Sequence, residues 1–247
     1  MNNEVYHILT QARRNRSRIL AVLLDPDSWV PESVPLLAER IDDSGAQLVF
    51  VGGSLMLTNH LDAFVREVKK HTRLPVVLFP GNSVQISSHA DAILFLSLIS
   101  GRNPEFLIGQ QVVAAPLLQH SGLEIIPTGY LLIDGGNETT ASYISGTKPI
   151  PRDKTGIAYA TALAGFMMGH RVLYMDAGSG AGMPVPVGMI RKIATDIHVP
   201  LIVGGGIRTP GQLEEVYRAG ATVAVIGTAF EEDPSVLADY RHIVNKH

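Results

Sequence analysis

Three short apolar runs in the last third of the chain each end in glycine. Residues 172–174 lead into Met175-Asp176-Ala177-Gly178-Ser179-Gly180, residues 201–203 into Gly204-Gly205-Gly206-Ile207-Arg208, and residues 222–226 into Gly227-Thr228. Their β-branched and aromatic content reads as strand, so each glycine segment closes a strand. Glycine has no Cβ, and backbone N–H groups beside it can approach an anion closely. Such ends gather in one place when the strands close into a (β/α)8 barrel, whose last strands commonly hold phosphate.

The rest of the chain fits that reading. Strand-like runs at 19–24, 48–51, 76–79, 92–95, 124–126, 172–174, 201–203 and 222–226 alternate with helix-like segments at 31–43, 61–72, 104–120, 155–169, 186–198, 209–219 and 234–246. A further helix, 4–15, precedes the first strand. The alternation predicts an α/β fold, a TIM-type barrel. At 247 residues the chain has the length of one such barrel, so residues 1–247 form a single domain with an N-terminal extra helix. One unit departs from the ideal. Only residues 82–89 separate the Phe79-Pro80-Gly81 turn from the fourth strand, too few for a crossover helix, so the third helix is short or missing. Residues 131–152 form a long Gly/Thr/Ser-rich connection, either a lid or a plain loop.

Composition excludes several classes. A net charge of −3 and one short basic cluster, Arg13-Arg14-Asn15-Arg16-Ser17-Arg18, suit a solvated helix face better than a nucleic-acid patch. Without cysteine there is no disulfide, thiolate nucleophile or cysteine-held metal. No apolar run is long enough for an integral membrane segment and no signal peptide is visible, so the expected location is cytoplasmic.

The first strand ends in Asp25-Pro26-Asp27 and the second in Gly52-Gly53-Ser54. A carboxylate on a stiff strand end, with a hydroxyl at the neighbouring one, suits Mg²⁺, which takes oxygen ligands and keeps waters. Asp27 reads as the cap of a turn. Across the mouth, the glycine runs offer backbone N–H groups and the hydroxyls of Ser179 and Thr228 to one phosphate. This is neither a Walker loop nor a Rossmann fingerprint. Asp176 would bind a substrate hydroxyl or remove its proton. Tyr174, and Tyr130 in Pro127-Thr128-Gly129-Tyr130 after the fifth strand, either line the cleft or pack the barrel. The nine histidines show no metal-ligand spacing. No lysine falls at a strand end, which disfavours a Schiff-base aldolase. A sugar-phosphate isomerase and a non-catalytic phosphometabolite-binding barrel remain open.

These motifs, in this order and spacing and over nearly the whole chain, resemble the geranylgeranylglyceryl phosphate synthase family; Tyr174-Met175-Asp176-Ala177-Gly178-Ser179-Gly180-Ala181 is the most specific of them. The resemblance implies a prenyltransferase that joins the 3-hydroxyl of sn-glycerol 1-phosphate to C1 of an all-trans polyprenyl diphosphate, releasing diphosphate. It implies that Asp25 and Ser54 hold Mg²⁺. It also implies that Tyr174, Met175, Asp176, Ala177, Gly178, Ser179, Gly180, Gly205, Gly206, Gly227 and Thr228 hold the glycerol phosphate. Many members carry glutamate where this chain has Asp176, and members habitually form homo-oligomers. The missing third helix would open a groove for the apolar tail. A Cβ at Gly205 or Gly227 would occupy space the phosphate needs.

Overall fold

The computed structural model of the chain describes residues 4–227 and 237–245. Strands β1 (Ile19–Leu24), β2 (Leu48–Val51), β3 (Val76–Leu78), β4 (Ala92–Leu98), β5 (Glu124–Leu132), β6 (Val172–Asp176), β7 (Leu201–Gly204) and β8 (Val223–Ile226) pair in sequence order into a closed barrel. Every pairing is parallel, and β8 closes on β1 with Ile19 opposite Val223. The ring carries α2 (Val34–Asp43), α3 (Leu61–His71), α4 (Gln110–Gln119), α6 (Thr155–Met167), α7 (Val187–Asp196), α8 (Pro210–Arg218) and α9 (Leu237–Val244). The short α5 (Thr140–Ser145) belongs to the loop after β5. Among the described residues no helix is long and apolar enough to cross a membrane.

The two-residue period of each strand divides the core into two layers. Ile19 and Ala21 of β1 face the barrel interior with Phe50, Val77 and Leu94, while Leu20, Val22 and Leu24 pack outward beneath the helices. The N-terminal helix α1 (Glu4–Asn15) places Val5, Leu9 and Ala12 on one face, and these join the interior cluster. Its first turn is held by the buried Glu124 carboxylate of β5, which accepts the amides of Val5 at 2.8 Å and Tyr6 at 2.9 Å. A carboxylate at a helix N-terminus satisfies otherwise unpaired amides and complements the dipole.

The third unit lacks its helix, as the spacing predicts: residues 79–91 run from β3 to β4 as turns. Gln85, buried, accepts the Gly81 amide at 2.8 Å and donates to the Gly53 carbonyl at 3.1 Å, clamping this segment to the loop after β2.

One expectation is corrected. The fifth strand extends to Leu132, so Pro127-Thr128-Gly129-Tyr130 lies inside it, paired to β4 and β6. Pro127 and Gly129 look like breakers in sequence. Yet the Pro127 carbonyl accepts the Arg171 amide at 2.9 Å, and a Cβ at Gly129 would stand 2.9 Å from Ile99 and 3.1 Å from Leu173. The glycine marks a close approach within a strand. The long connection, in turn, is structured: Ile133 bridges Ile150, and α5 starts on a Thr139/Ser142 capping box.

Candidate active site

At the C-terminal ends of the strands lies a polar cavity of about 160 Å³, lined by Asp25, Gly53 and Ser54 on one side and by Asp176, Gly205 and Gly227 on the other. On the flank left open by the missing helix lies an apolar cavity of about 110 Å³. Its walls are Ile93, Leu96 and Leu98 of β4, residues 80–83, and the Gln111, Ala114 and Leu118 face of α4. Gly53, Ser54 and Phe79 line both cavities, which therefore meet at the ends of β2 and β3.

Asp25 follows β1 and caps a 3-10 turn, accepting the Asp27 amide at 3.0 Å. Burial pushes its carboxyl up, the Asp27 amide draws it back, and the Asp27 charge adds to the rise. A Cβ on Gly53 would stand 3.1 Å from Asp25 Oδ2, so the carboxylate rests against that glycine, next to Ser54. This donor set is all oxygen, with one carboxylate and one hydroxyl, and no group of three His, Cys, Asp or Glu able to hold a metal occurs among the described residues. It fits Mg²⁺, which is commonly held by one or two carboxylates, waters and substrate phosphates, and fits poorly a metal that wants a full protein cage. Asp27, expected to cap a turn, instead lies inside the turn that Asp25 caps: its Oδ2 accepts the Leu57 amide at 2.6 Å and its Oδ1 the Thr58 hydroxyl, pinning the loop after β2 to the end of β1.

Asp176 ends β6 and is 6% exposed. Its Oδ2 accepts the Tyr130 hydroxyl at 2.6 Å and its Oδ1 the Gly178 amide at 2.8 Å. Burial raises its pKa above the ordinary aspartate value, and those two hydrogen bonds oppose the rise. Burial first, and the Asp176 charge second, hold the Tyr130 and Tyr174 phenols well above their ordinary value, so both stay protonated donors. Tyr174 stacks on Phe79 at 4.9 Å and meets Tyr130 edge-on at 5.5 Å. Tyr130 lines the apolar cavity rather than the polar one and reaches the site through Asp176.

The glycine segments surround Asp176. No described residue accepts from the amides of Ser179, Gly180, Gly205 or Gly206, which leaves these donors to the cavity. Gly205 has φ +78°, and a Cβ there would stand 2.6 Å from both Asp176 Oδ1 and the Gly178 nitrogen. The space a side chain would invade at 205 is therefore occupied by the protein itself, a correction to the expectation. At Gly227 the described atoms nearest a Cβ are those of Leu23, at 3.5 Å or more, so the protein described leaves room there. Met175 and Ala177 belong to the outer core layer and do not line the cavity. Thr228 lies outside the described residues. Three further residues line the cavities: Phe79, Thr140 of α5, and Phe106, which reaches the apolar cavity from a π-helical turn (Glu105–Gly109) ahead of α4. Phe79 was visible as a strand end; nothing local marked the other two.

Comparison with known proteins decides the kinship. The family model for the PcrB family matches residues 11–246. The chain belongs to the PcrB family. Its relatives bear the name that the motifs resembled. The geranylgeranylglyceryl phosphate synthase of Chitinophaga pinensis is 47% identical over 245 residues, covering 99% of this chain and 97% of that one. The synthase of Thermococcus kodakarensis is 46% identical over 222 residues, covering 90% and 87%. The crystal structure of (S)-3-O-geranylgeranylglyceryl phosphate synthase from Thermoplasma acidophilum, in complex with substrate sn-glycerol-1-phosphate, matches with a TM-score of 0.92 at 34% identity, over 97% of this chain and 98% of that one. Thiamine phosphate pyrophosphorylase from Pyrococcus furiosus, at 14% identity and a TM-score of 0.57, shares the barrel fold alone.

Proposed function

We propose that this PcrB-family chain is an Mg²⁺-dependent prenyltransferase that alkylates sn-glycerol 1-phosphate with geranylgeranyl diphosphate or a similar all-trans polyprenyl diphosphate. The prenyl transfer rests on the family and on relatives named for that product. The observation that carries the assignment of sites is the meeting of a polar and an apolar cavity at Gly53, Ser54 and Phe79. An isoprenoid diphosphate has one charged end and one hydrocarbon end, and this junction is where its C1 belongs.

The glycerol phosphate sits across the cavity, its phosphate on the amides of residues 179–180, 205–206 and 227. Its 3-hydroxyl lies within reach of Asp176. The hydroxyl oxygen forms a bond to C1 while the C1–O bond to diphosphate breaks and the electron pair leaves with diphosphate. The hydroxyl proton passes to the Asp176 carboxylate or to solvent. A raised carboxylate pKa favours Asp176 as acceptor, while the two hydrogen bonds it already receives suit an orienting ligand. Asp25 and Ser54 would hold Mg²⁺, which when bound neutralises the leaving diphosphate. The tail runs between β4 and α4, where apolar burial at about 25 cal/mol per Å² contributes to its affinity. The apolar wall excludes water from the reacting carbon.

The test is incubation with Mg²⁺, radiolabelled sn-glycerol 1-phosphate and a panel of prenyl diphosphates. Solvent-extractable label and released diphosphate are expected. No product with any prenyl donor, or isomerisation of a sugar phosphate instead, would overturn the reading.

A further inference from the structure

Among the described residues, the polar cavity is lined by two acidic residues, Asp25 and Asp176, and by one basic residue, Arg208. In sequence, residues 228–236 after β8 contain no lysine, arginine or histidine and carry three acids, Glu231, Glu232 and Asp233. A phosphate monoester entering this cavity brings up to two further negative charges. Backbone amides supply dipoles there, but no net positive charge.

The placement of Arg208 is fixed although its side chain is exposed. It follows Ile207, which is 4% exposed, and its amide donates to Gln212 Oε1 at 2.8 Å. The same oxygen accepts the Thr209 amide at 3.1 Å, closing the capping box that starts α8. The backbone is thereby anchored two residues beyond Gly206. No described residue pairs with its guanidinium, whereas Arg18 and Arg218 both bind Glu214.

We propose that Arg208 is a further phosphate-binding residue, its guanidinium folding over the mouth of the cavity onto the phosphate of glycerol phosphate. This rests on the reading of that cavity as the glycerol phosphate site. Guanidinium presents paired donors that match phosphate oxygens, and a lysine in its place would give charge without the fork. The phosphate end does not react, so the contact is the same in ground and transition states. It acts on KM and leaves kcat at saturation unchanged.

The experiment is isothermal titration of sn-glycerol 1-phosphate, inorganic phosphate and a prenyl diphosphate into wild type, Arg208→Gln and Arg208→Lys, at low and high salt, with turnover measured in parallel. Arg208→Gln is expected to weaken glycerol phosphate and phosphate about tenfold, the range of a partly solvated charged hydrogen bond. Arg208→Lys recovers part of this, the loss shrinks in high salt, and prenyl diphosphate affinity and the thermal midpoint do not change. Equal glycerol phosphate binding by wild type and Arg208→Gln would overturn the proposal alone. Equal weakening of prenyl diphosphate would also overturn it, placing the guanidinium on the other substrate. A wild type that binds no glycerol phosphate would bring down the cavity reading itself.

Discussion

The two cavities are built by opposite devices. The polar one is made of backbone: Gly178, Gly180, Gly205, Gly206 and Gly227 follow consecutive strands and line it, and the amides of residues 179–180 and 205–206 have no acceptor among the described residues. The apolar one is made of side chains and of an absence, the missing third helix, and its wall draws on β4, α4 and residues 80–83. Anion binding is thus encoded in contiguous stretches of chain. Hydrocarbon binding is encoded in which elements fail to cover which others. Gly53, Ser54 and Phe79 stand at the border, with Asp25 against Gly53 on its polar side, so substitutions should separate into three groups.

The largest effect is expected at the border. Asp25→Ala should cut turnover about a thousandfold or more, the scale on which a metal stabilises transition-state charge. The fold should survive, because Asp25 caps only a single 3-10 turn. Near wild-type turnover at saturating Mg²⁺ would break the three-part division.

Asp176 comes next. Asp176→Asn should lower kcat by about 10²–10⁴-fold if the carboxylate is the base, as judged by turnover and titration together. Lost glycerol phosphate binding with kcat preserved would make it a ligand. Asp176→Glu should keep substantial activity. A carboxyl raised by burial is less costly protonated, so its folding contribution is full below the ordinary aspartate pKa and declines as pH rises through the raised value. Asp176→Asn should therefore gain thermal stability relative to wild type as pH rises through that window. An advantage that shrinks with pH would contradict the burial account.

Within the polar cavity the glycines should divide. Gly227→Ala should raise KM for glycerol phosphate about tenfold with an unchanged thermal midpoint, because the described atoms nearest a Cβ there lie at ordinary contact distance. Gly205→Ala should lower stability by about 1–2 kcal/mol or more and affect both substrates, since it strains a left-handed residue and crowds Asp176. Indistinguishable variants would mean the cradle is not divided this way.

The smallest effect belongs to the apolar side. Ala114→Leu, on the α4 wall, should raise KM for the prenyl diphosphate a few-fold and leave that for glycerol phosphate alone. A change in the glycerol phosphate KM would show that the cavities are not independent.

This contrast also explains what the sequence disclosed. Strand ends such as Val51-Gly52-Gly53-Ser54 and the closing glycine runs are local patterns with a local cause, and they placed both the barrel and the polar cavity. The gap of residues 82–89 predicted the missing helix by length alone. Tyr130 lies within β5 rather than after it, because tertiary pairing carries the strand through Pro127 and Gly129, which no local pattern reports. Phe106 and Thr140 reach their cavities from 3D packing of a π-helical turn and a loop helix, which no short-range periodicity reports. Met175 went the other way: the motif named it, but strand alternation turns it outward.

The central claim is that two substrates occupy these two cavities and meet between them. A crystal structure with sn-glycerol 1-phosphate and a non-reactive thiolo analogue of a prenyl diphosphate tests it most directly. The expected result is a phosphate within hydrogen-bond distance of the amides at 179–180 and 205–206, diphosphate at Asp25 and Ser54, and the tail between Leu96 and Ala114. A tail lying outside the β4–α4 cavity, or a glycerol phosphate bound at Asp25, would contradict the account.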